Sequence, residues 1–410
     1  MAQRLDRLPR WRFAEQGRMR GAVVVLAALI LAALALANAM LNVVRAEHPD
    51  LALRIASQDA GALAVKADTL LSATSWNVSA EQLDSLAVRS IVAQPISARA
   101  LRLHGFAADR RGDKAGALRS IQLAERLSRR ELMAHLWMIE YAAQRGDTNG
   151  ALRYYDLAMR TSDTGRRILF PILAGALSDR EIRVALLPYM RVDPPWLASF
   201  LSYAVLQGGD PASVASLMKE AGELPGATKL AAIKRQLLGR MVEADAYDAA
   251  RSFALRVLRA DQRIFTEFGF DPRNTDERFV PLTWMRPSSA GITTEFYSLD
   301  GLWRARLSAD GSARGLALQR LIFLTPGAYS VSLPAELKQG AGALTLALGC
   351  RASGRSVTLL DQELDSSMPR QFRFTVPANC GAQFFSISFA AEDESHGAIF
   401  ELRSPIIRKL

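Results

Sequence analysis

The chain has 410 residues, half of them hydrophobic and 22% charged, with a formal net charge of +10. This length predicts two or three domains, each with a core of its own. The positive charge forms no block of five or six like charges, and part of it belongs to a short N-terminal tail, so the composition argues against a nucleic-acid-binding protein.

The tail and the apolar segment after it predict a membrane anchor. Residues 1–20 carry six arginines and two acidic residues, a net charge of +4, and residues 21–44 contain no charged side chain. As a helix this segment would reach about 36 Å, enough for a hydrocarbon core of about 30 Å. We predict a transmembrane helix over residues 21–45, with the basic tail in the cytoplasm and the rest of the chain across the membrane. The arginines are Arg4, Arg7, Arg10, Arg12, Arg18 and Arg20.

A cleaved signal peptide is the alternative for the same segment. Residues 22–36 would form its apolar core, and Ala37-Asn38-Ala39 has the small-x-small pattern of a signal-peptidase site. The apolar run continues past Ala39 to Val44, which is long for a signal peptide and favours an uncleaved anchor. Under both readings the remainder of the chain is exported.

Residues 46–260 are predicted to be helical and contain an internal repeat. Residues 111–119 reappear as residues 145–153, an offset of 34 residues, and each copy begins with Arg-Gly-Asp. The pairs Gly112-Asp113 and Gly146-Asp147 predict a tight turn followed by a helix cap. A 34-residue period of paired helices resembles the tetratricopeptide repeat, which implies a concave surface that binds partner proteins. A simple spacer between membrane and C-terminal domain is the alternative.

Residues 263–410 are predicted to form an antiparallel β-sandwich of the jelly-roll type. Apolar residues alternate here, and twelve of the seventeen phenylalanines lie between Phe265 and Phe400. This period of two, with turn residues between the runs, is typical of strands with one buried face. The whole chain is therefore predicted to be a multidomain α + β protein. Alternating runs occur at residues 329–333, 344–348, 372–376 and 385–389.

The two cysteines, Cys350 and Cys380, both lie in this C-terminal region. No Cys-x-x-Cys or cysteine–histidine cluster is present, so we expect no metal and no cofactor. In an exported domain two such cysteines are expected to form a disulfide; two buried free thiols are the alternative.

Short segments of the C-terminal region are similar to galactose-binding-like carbohydrate-binding modules. They are residues 265–270, the strand of residues 279–284 that ends in Trp284, and the proline-glycine turn in residues 324–331. With its anchor and repeats, the chain resembles tetratricopeptide-repeat envelope proteins encoded with bacterial exopolysaccharide machinery. The resemblance implies an inner-membrane protein with a periplasmic bulk that works beside polysaccharide synthesis or export, with other envelope proteins as partners.

Sugar rings stack on aromatic faces, and polar side chains bind their hydroxyls. Trp284, Tyr297 and Trp303 are the candidate stacking residues, and Arg304 or Arg306 could contact an acidic sugar. Alternatively, both tryptophans pack between the sheets.

The sequence contains none of the common catalytic motifs, such as Gly-x-Ser-x-Gly, His-Glu-x-x-His or a P-loop. We therefore expect a non-catalytic scaffold or accessory protein. The alternative is a carbohydrate-active enzyme that uses the β-domain.

Overall fold

The computed structural model describes residues 11–73, 78–224, 227–352, 355–364, 371–392 and 397–410. The chain divides into two compact units, Met1–Ser162 and Asp163–Leu410. The first unit is helical in its described part, and the second combines helices with antiparallel strands. The helix of the first unit that contains the apolar segment is α1, Trp11–Glu47. The others are α2, Pro49–Ile55; α3, Ala60–Ala73; α4, Ala80–Ala93; α5, Ala98–Arg110; α6, Lys114–Leu127; α7, Leu132–Gln144; and α8, Thr148–Thr161.

The apolar N-terminal segment lies within one continuous helix. Gly21–Glu47 of α1 is long and apolar enough to cross a membrane, with a mean hydropathy of 2.6, and none of that stretch is buried by the rest of the chain. A signal sequence near an N-terminus has the same properties. Of the predicted basic tail, residues 1–10 lie outside the described residues, and residues 11–20 belong to the start of α1.

The repeat detected in the sequence corresponds to two helical hairpins of equal dimensions. Helices α7 and α8 begin and end 34 residues after α5 and α6. In each turn the glycine has a positive φ, +82° at Gly112 and +70° at Gly146, a backbone conformation that favours glycine. The aspartate that follows caps the second helix: Asp113 and Asp147 each accept a backbone hydrogen bond of 2.8 Å.

A buried arginine joins three helices of the first unit. Arg102 of α5 donates to both carboxylate oxygens of Asp68 in α3, at 2.7 and 2.9 Å. Its Nε lies 2.7 Å from Glu131, the residue that precedes α7. Because removing one partner would leave a buried charge, these contacts favour this arrangement of α3, α5 and α7.

His135 of α7 is also fully buried in the first unit. Among the described residues neither of its ring nitrogens has a hydrogen-bond partner. Burial lowers the pKa of His135 below 6.5, and the nearby carboxylates of Glu125 and Glu131 only partly oppose this. The folded unit therefore holds a neutral imidazole in an apolar environment.

We predict that His135 makes the first unit sensitive to acid. Below pH 6.5 the unfolded chain binds a proton that the folded chain resists, so the stability contributed by neutral His135 is lost as the pH falls towards the folded-state pKa. His135→Leu should flatten the fall in melting temperature between about pH 7 and pH 5, measured by circular dichroism. The same change at the exposed His48 should leave the profile as in the wild type. Parallel profiles for wild type and His135→Leu would contradict the prediction.

The second unit begins with six helices. They are α9, Asp163–Ala176; α10, Arg180–Arg191; α11, Leu197–Tyr203; α12, Pro211–Ala221; α13, Ala227–Glu243; and α14, Tyr247–Arg256. Pro171 and Pro188 lie inside α9 and α10, and a π-helical turn follows α11, so the helices are less regular than in the 34-residue repeats. The first strand begins only at Ile292, and a connecting segment of residues 257–291 precedes it.

Eleven antiparallel strands are described in the second unit, arranged in three sheets that share one core. The sheet orders are β1-β2-β10-β5, β11-β4-β8 and β3-β9-β6-β7. The alternation predicted a buried face for each strand, and this is confirmed: Leu344, Leu346, Phe385 and Ile387 are all fully buried. The strands are β1, Ile292–Leu299; β2, Leu302–Ala309; β3, Arg314–Ile322; β4, Gly327–Ser332; β5, Ala335–Gln339; β6, Gly342–Ala352; β7, Arg355–Leu364; β8, Gln371–Val376; β9, Gln383–Ala391; β10, Ala398–Arg403; and β11, Ile406–Lys409.

The structure joins Cys350 and Cys380 in a disulfide. Cys350 lies in β6, and Cys380 lies in the turn before β9, with both residues buried. The bond therefore links a central strand of one sheet to the entry of its neighbouring strand.

A second buried arginine fixes the connecting segment on the sandwich. Arg320 of β3 is fully buried. It donates to the carbonyl oxygens of Ile264 (2.7 Å) and Leu282 (3.0 Å) and to Oδ1 of Asn274 (3.1 Å). All three acceptors belong to residues 257–291. Burial lowers the pKa of Arg320, and the Asp271 carboxylate partly opposes this.

We predict that Arg320→Leu lowers the free energy of unfolding by about 3 kcal/mol, because three buried acceptors lose their donor. Urea denaturation followed by tryptophan fluorescence would measure the change. Arg314→Leu is the matched control, since Arg314 lies on the same strand but is exposed, and its effect should stay within about 0.5 kcal/mol. Equal unfolding midpoints for the two variants would refute this role of Arg320.

Candidate functional site

The sheet β1-β2-β10-β5 has one face towards the core and one polar face. Ala305 and Leu307 of β2 and Phe400 and Leu402 of β10 are buried, and the residues that alternate with them lie on the opposite face. The cross-strand register aligns Glu295, Arg306, Glu401 and Glu336, and beside them Tyr297, Arg304 and Arg403. We use the name polar sheet face for Glu295, Tyr297, Arg304, Arg306, Lys338 and Glu401.

Glu401 is the centre of the polar sheet face. The Tyr297 hydroxyl donates a hydrogen bond to one carboxylate oxygen of Glu401, and Nη1 of Arg304 donates to the other at 3.2 Å. Arg306 and Lys338 lie at 3.7 and 3.8 Å from the same carboxylate. The hydrogen bond from Tyr297 is the main cause of a lowered pKa at Glu401; partial burial opposes it, and Arg304 and Lys338 add to it. Glu401 is therefore held in its ionised form.

The exposed charges around Glu401 are of both signs: Arg306 lies 3.7 Å from Glu295, which is 68% exposed, and Lys338 lies 2.6 Å from Glu336, which is 59% exposed. The side chain of Glu401 is 12% exposed, whereas those of Arg306 and Lys338 are 43% and 40% exposed. The carboxylate is thus covered by its donors, and the guanidinium and ammonium groups reach the solvent. Such a surface offers cationic donors to a carboxylate or sulfate on a ligand.

Of the four residues proposed for glycan binding, the structure brings together Tyr297 and Arg304. Both contact Glu401, although they come from β1 and β2 and Glu401 comes from β10. Arg306 covers one face of the Tyr297 ring, with its Cζ 4.7 Å from the ring centroid. A sugar could therefore stack only on the opposite face, or by displacing Arg306.

The structure places Trp284, one of the proposed stacking residues, in the core, the position named as the alternative. Trp284 is 1% exposed, and its Nε1 donates to the carbonyl oxygens of Phe268 (3.2 Å) and Gly269 (3.0 Å). The ring centroids of Phe270 and Phe385 lie 5.5 and 5.2 Å away, so the indole is packed among aromatic rings, and it also contributes to the wall of a cleft beside β1. Trp303 is partly buried and packs against the same core. Because side chains alternate along β2, Trp303 and its neighbour Arg304 lie on opposite faces of the sheet.

Sequence reasoning missed Glu401. The alternation of Phe400, Glu401 and Leu402 does place the glutamate away from the core. Its contact with Tyr297 depends on β10 pairing with β2, which joins residues 104 positions apart in the chain. No local pattern indicates that pairing.

A cleft of about 490 Å³ lies beside the edge strand β1. Arg235 of α13, the pair Glu277–Arg286 (2.5 Å apart) and Thr293 contribute polar groups to it. Thr293 lies on the same face of β1 as Glu295 and Tyr297, because side chains alternate along a strand. Ile292 and Thr294, which alternate with Thr293, also line the cleft, so it lies at the edge of β1 and adjoins the polar sheet face through Thr293.

The helical hairpins of the first unit form a smaller groove of about 340 Å³. Phe106 and Asp109 of α5 and Met133, Trp137 and Glu140 of α7 are among its lining residues. Trp137 stacks on Tyr141 at a centroid distance of 5.1 Å. Arg110 also lines the groove, so charged groups of both signs lie beside an aromatic and apolar surface.

Within the described residues, no group of three or more histidine, cysteine, aspartate or glutamate side chains is placed to hold a metal ion.

No family model matches the sequence, and no curated protein matches it. Several solved structures match the chain. One, on carbohydrate-binding modules from the β-sandwich superfamily, is 11% identical, with 31% of this chain and 57% of that chain covered and a TM-score of 0.25. TmCBM61 in complex with β-1,4-galactotriose is 11% identical, with 37% and 98% covered and a TM-score of 0.26.

A third match is the CBM22-1 xylan-binding domain of Xyn10C from Paenibacillus barcinonensis, at 11% identity. It covers 31% of this chain and 85% of that chain, with a TM-score of 0.21. At such low identities and TM-scores these matches carry no inference about ligand or activity, which depends on the geometry of the chain itself.

Proposed function

We propose that this protein is a membrane-anchored, non-catalytic accessory protein of envelope exopolysaccharide assembly or export. In this proposal it binds acidic polysaccharide through the polar sheet face and partner proteins through the helical hairpins. The observation that carries the proposal is the arrangement around Glu401, where Arg306 and Lys338, each beside an exposed glutamate, reach the solvent while the carboxylate of Glu401 is covered.

The chemistry of the polar sheet face fits a chain of acidic sugars. Arg306 and Lys338 would contact sugar carboxylates, and the hydroxyl groups of Tyr297 and Thr293 would bind ring hydroxyls. The cleft beside β1 extends the surface, so more than one sugar unit could be bound along the strand. Each exposed contact is weak, but a polymer engages many of them together.

The electrostatics of Glu401 fit a binding role and do not suit the general acid of a glycosidase, although an ionised carboxylate is also what a glycosidase nucleophile requires. A glycosidase needs a carboxylic acid whose pKa is raised so that it can protonate the leaving oxygen. The pKa of Glu401 is instead lowered by Tyr297 and Arg304. A carbohydrate-active enzyme acting through the β-domain is the alternative, and the experiment below separates the two.

In the proposed topology α1 is an uncleaved anchor of the bacterial inner membrane. The basic tail would lie in the cytoplasm and both compact units in the periplasm. The oxidising periplasm is also where the disulfide between Cys350 and Cys380 would persist. The groove between α5 and α7 would bind a segment of another envelope protein.

We predict that Arg306→Ala weakens binding of the full-length protein to an acidic polysaccharide such as alginate by about tenfold. This is the effect expected from the loss of one charge-assisted hydrogen bond of ~1.4 kcal/mol. Affinity electrophoresis in detergent would measure it, with neutral dextran as the ligand control. Arg314→Ala removes an exposed arginine from another sheet and should bind as the wild type does.

Binding should also weaken as salt is added, because exposed charges are screened. Equal retention by alginate and dextran, or equal binding by the two variants, would contradict the role of the polar sheet face. Shortening of the polysaccharide during incubation would instead support the enzyme alternative.

We predict that a periplasm-active reporter fused after Leu410 is active and that the fusion stays with the membrane fraction after an alkaline wash. Activity of a cytoplasm-only reporter at the same position would contradict the topology. Release of the mature chain into the soluble fraction would show cleavage after Ala39.

A further inference from the structure

A second charged cavity lies in the helical part of the second unit, away from the β-strands. Its volume is about 380 Å³, and Lys219, Lys234, Arg256 and Arg259 line it. We call these four residues the basic pocket. Its one acidic lining residue is Glu223, whose side chain is 94% exposed and lies 3.9 Å from Arg259. Four cations therefore face one weakly paired carboxylate.

The ends of α12 and α14 explain only part of this charge. Lys219 and Arg256 lie in the last turns of these helices, where cations interact favourably with the helix dipole. Lys234 lies in the middle of α13, so no helix end accounts for it.

Lys234 is the decisive residue of the basic pocket. It is half-buried, and among the described residues no carboxylate lies within salt-bridge distance of its ammonium group. Burial lowers the pKa of Lys234, and Glu223 opposes this only from a distance. A partly desolvated cation with no ion-pair partner gains most from an anion that enters the pocket.

The backbone also holds Arg259, one of the residues of the basic pocket, in an unfavourable conformation. Arg259 has a φ of +59°, in the left-handed region that L residues rarely adopt. Backbone hydrogen bonds from Leu258 to Phe253 and from Ala260 to Ala254 wind this turn over the end of α14. The turn therefore places the backbone of Arg259 beside the cavity, and the side chain that lines it is 74% exposed.

We propose that the basic pocket binds a phosphorylated ligand. The excess of three positive charges matches a phosphate dianion better than a single carboxylate. The cavity is larger than a phosphate ion, and its size suits a ligand in which a sugar-sized group carries the phosphate. This site is separate from the polar sheet face and does not depend on the proposed binding of polysaccharide.

The test is calorimetric titration of the full-length protein in detergent, in chloride buffer, with glucose 1-phosphate, inorganic phosphate and glucuronate as separate probes. We expect saturable binding of both phosphate probes and at least tenfold weaker binding of glucuronate. Tighter binding of glucose 1-phosphate than of inorganic phosphate would assign the rest of the cavity to the sugar. Equal affinities would support recognition of the phosphate group alone.

Lys234→Met should weaken the binding of glucose 1-phosphate at least tenfold, and Arg256→Gln should weaken it as well. Lys229→Met is the matched control, since Lys229 lies on the same helix, is exposed and does not line the cavity, and it should bind as the wild type does. Arg306→Ala should also leave phosphate binding unchanged, which separates this site from the polysaccharide surface. An absence of saturable binding, equal affinity for glucuronate, or equal affinities of Lys234→Met and Lys229→Met would overturn the proposal.

Discussion

The buried guanidinium of Arg320 is the contact on which the second unit depends most. A buried charged group needs hydrogen-bond acceptors, and here Nη1 and Nη2 donate to two carbonyl oxygens and one side-chain amide of the connecting segment, whereas Nε has no partner among the described residues. The ring centroids of Phe268 and Trp284 lie 5.0 and 5.4 Å from the same group. Arg320 therefore contacts the connecting segment through three hydrogen bonds and two aromatic rings.

The packing of the connecting segment against Arg320 also bears on which surface is free to bind a ligand. Trp284, a residue of the connecting segment, is buried in the core, so this tryptophan has a structural role. The polar sheet face lies on the other side of β1 and β2, where side chains alternate away from the core. Its charges are arranged by Glu401, which holds Tyr297 and Arg304 in place and leaves Arg306 and Lys338 in the solvent.

The local features of the fold could be predicted from the sequence, and the long-range ones could not. The 34-residue repeat and the alternating strands depend on nearby residues, and the helix bounds and burial agree with them. The partnership of Tyr297 with Glu401 depends on strand pairing, and Trp284 packs against Arg320 from a different segment of the chain. An arginine in the middle of an alternating strand gave no local sign that it would be buried without a carboxylate partner.

The most direct measurement is hydrogen–deuterium exchange of the full-length protein with and without an acidic polysaccharide. Binding at the polar sheet face should slow exchange in β1, β2 and β10 and leave β6 and β7 unchanged, because these strands belong to another sheet. Neutral dextran should produce no such protection. Protection confined to other elements, or none at saturating acidic polysaccharide, would contradict the assignment of this face as the glycan-binding surface.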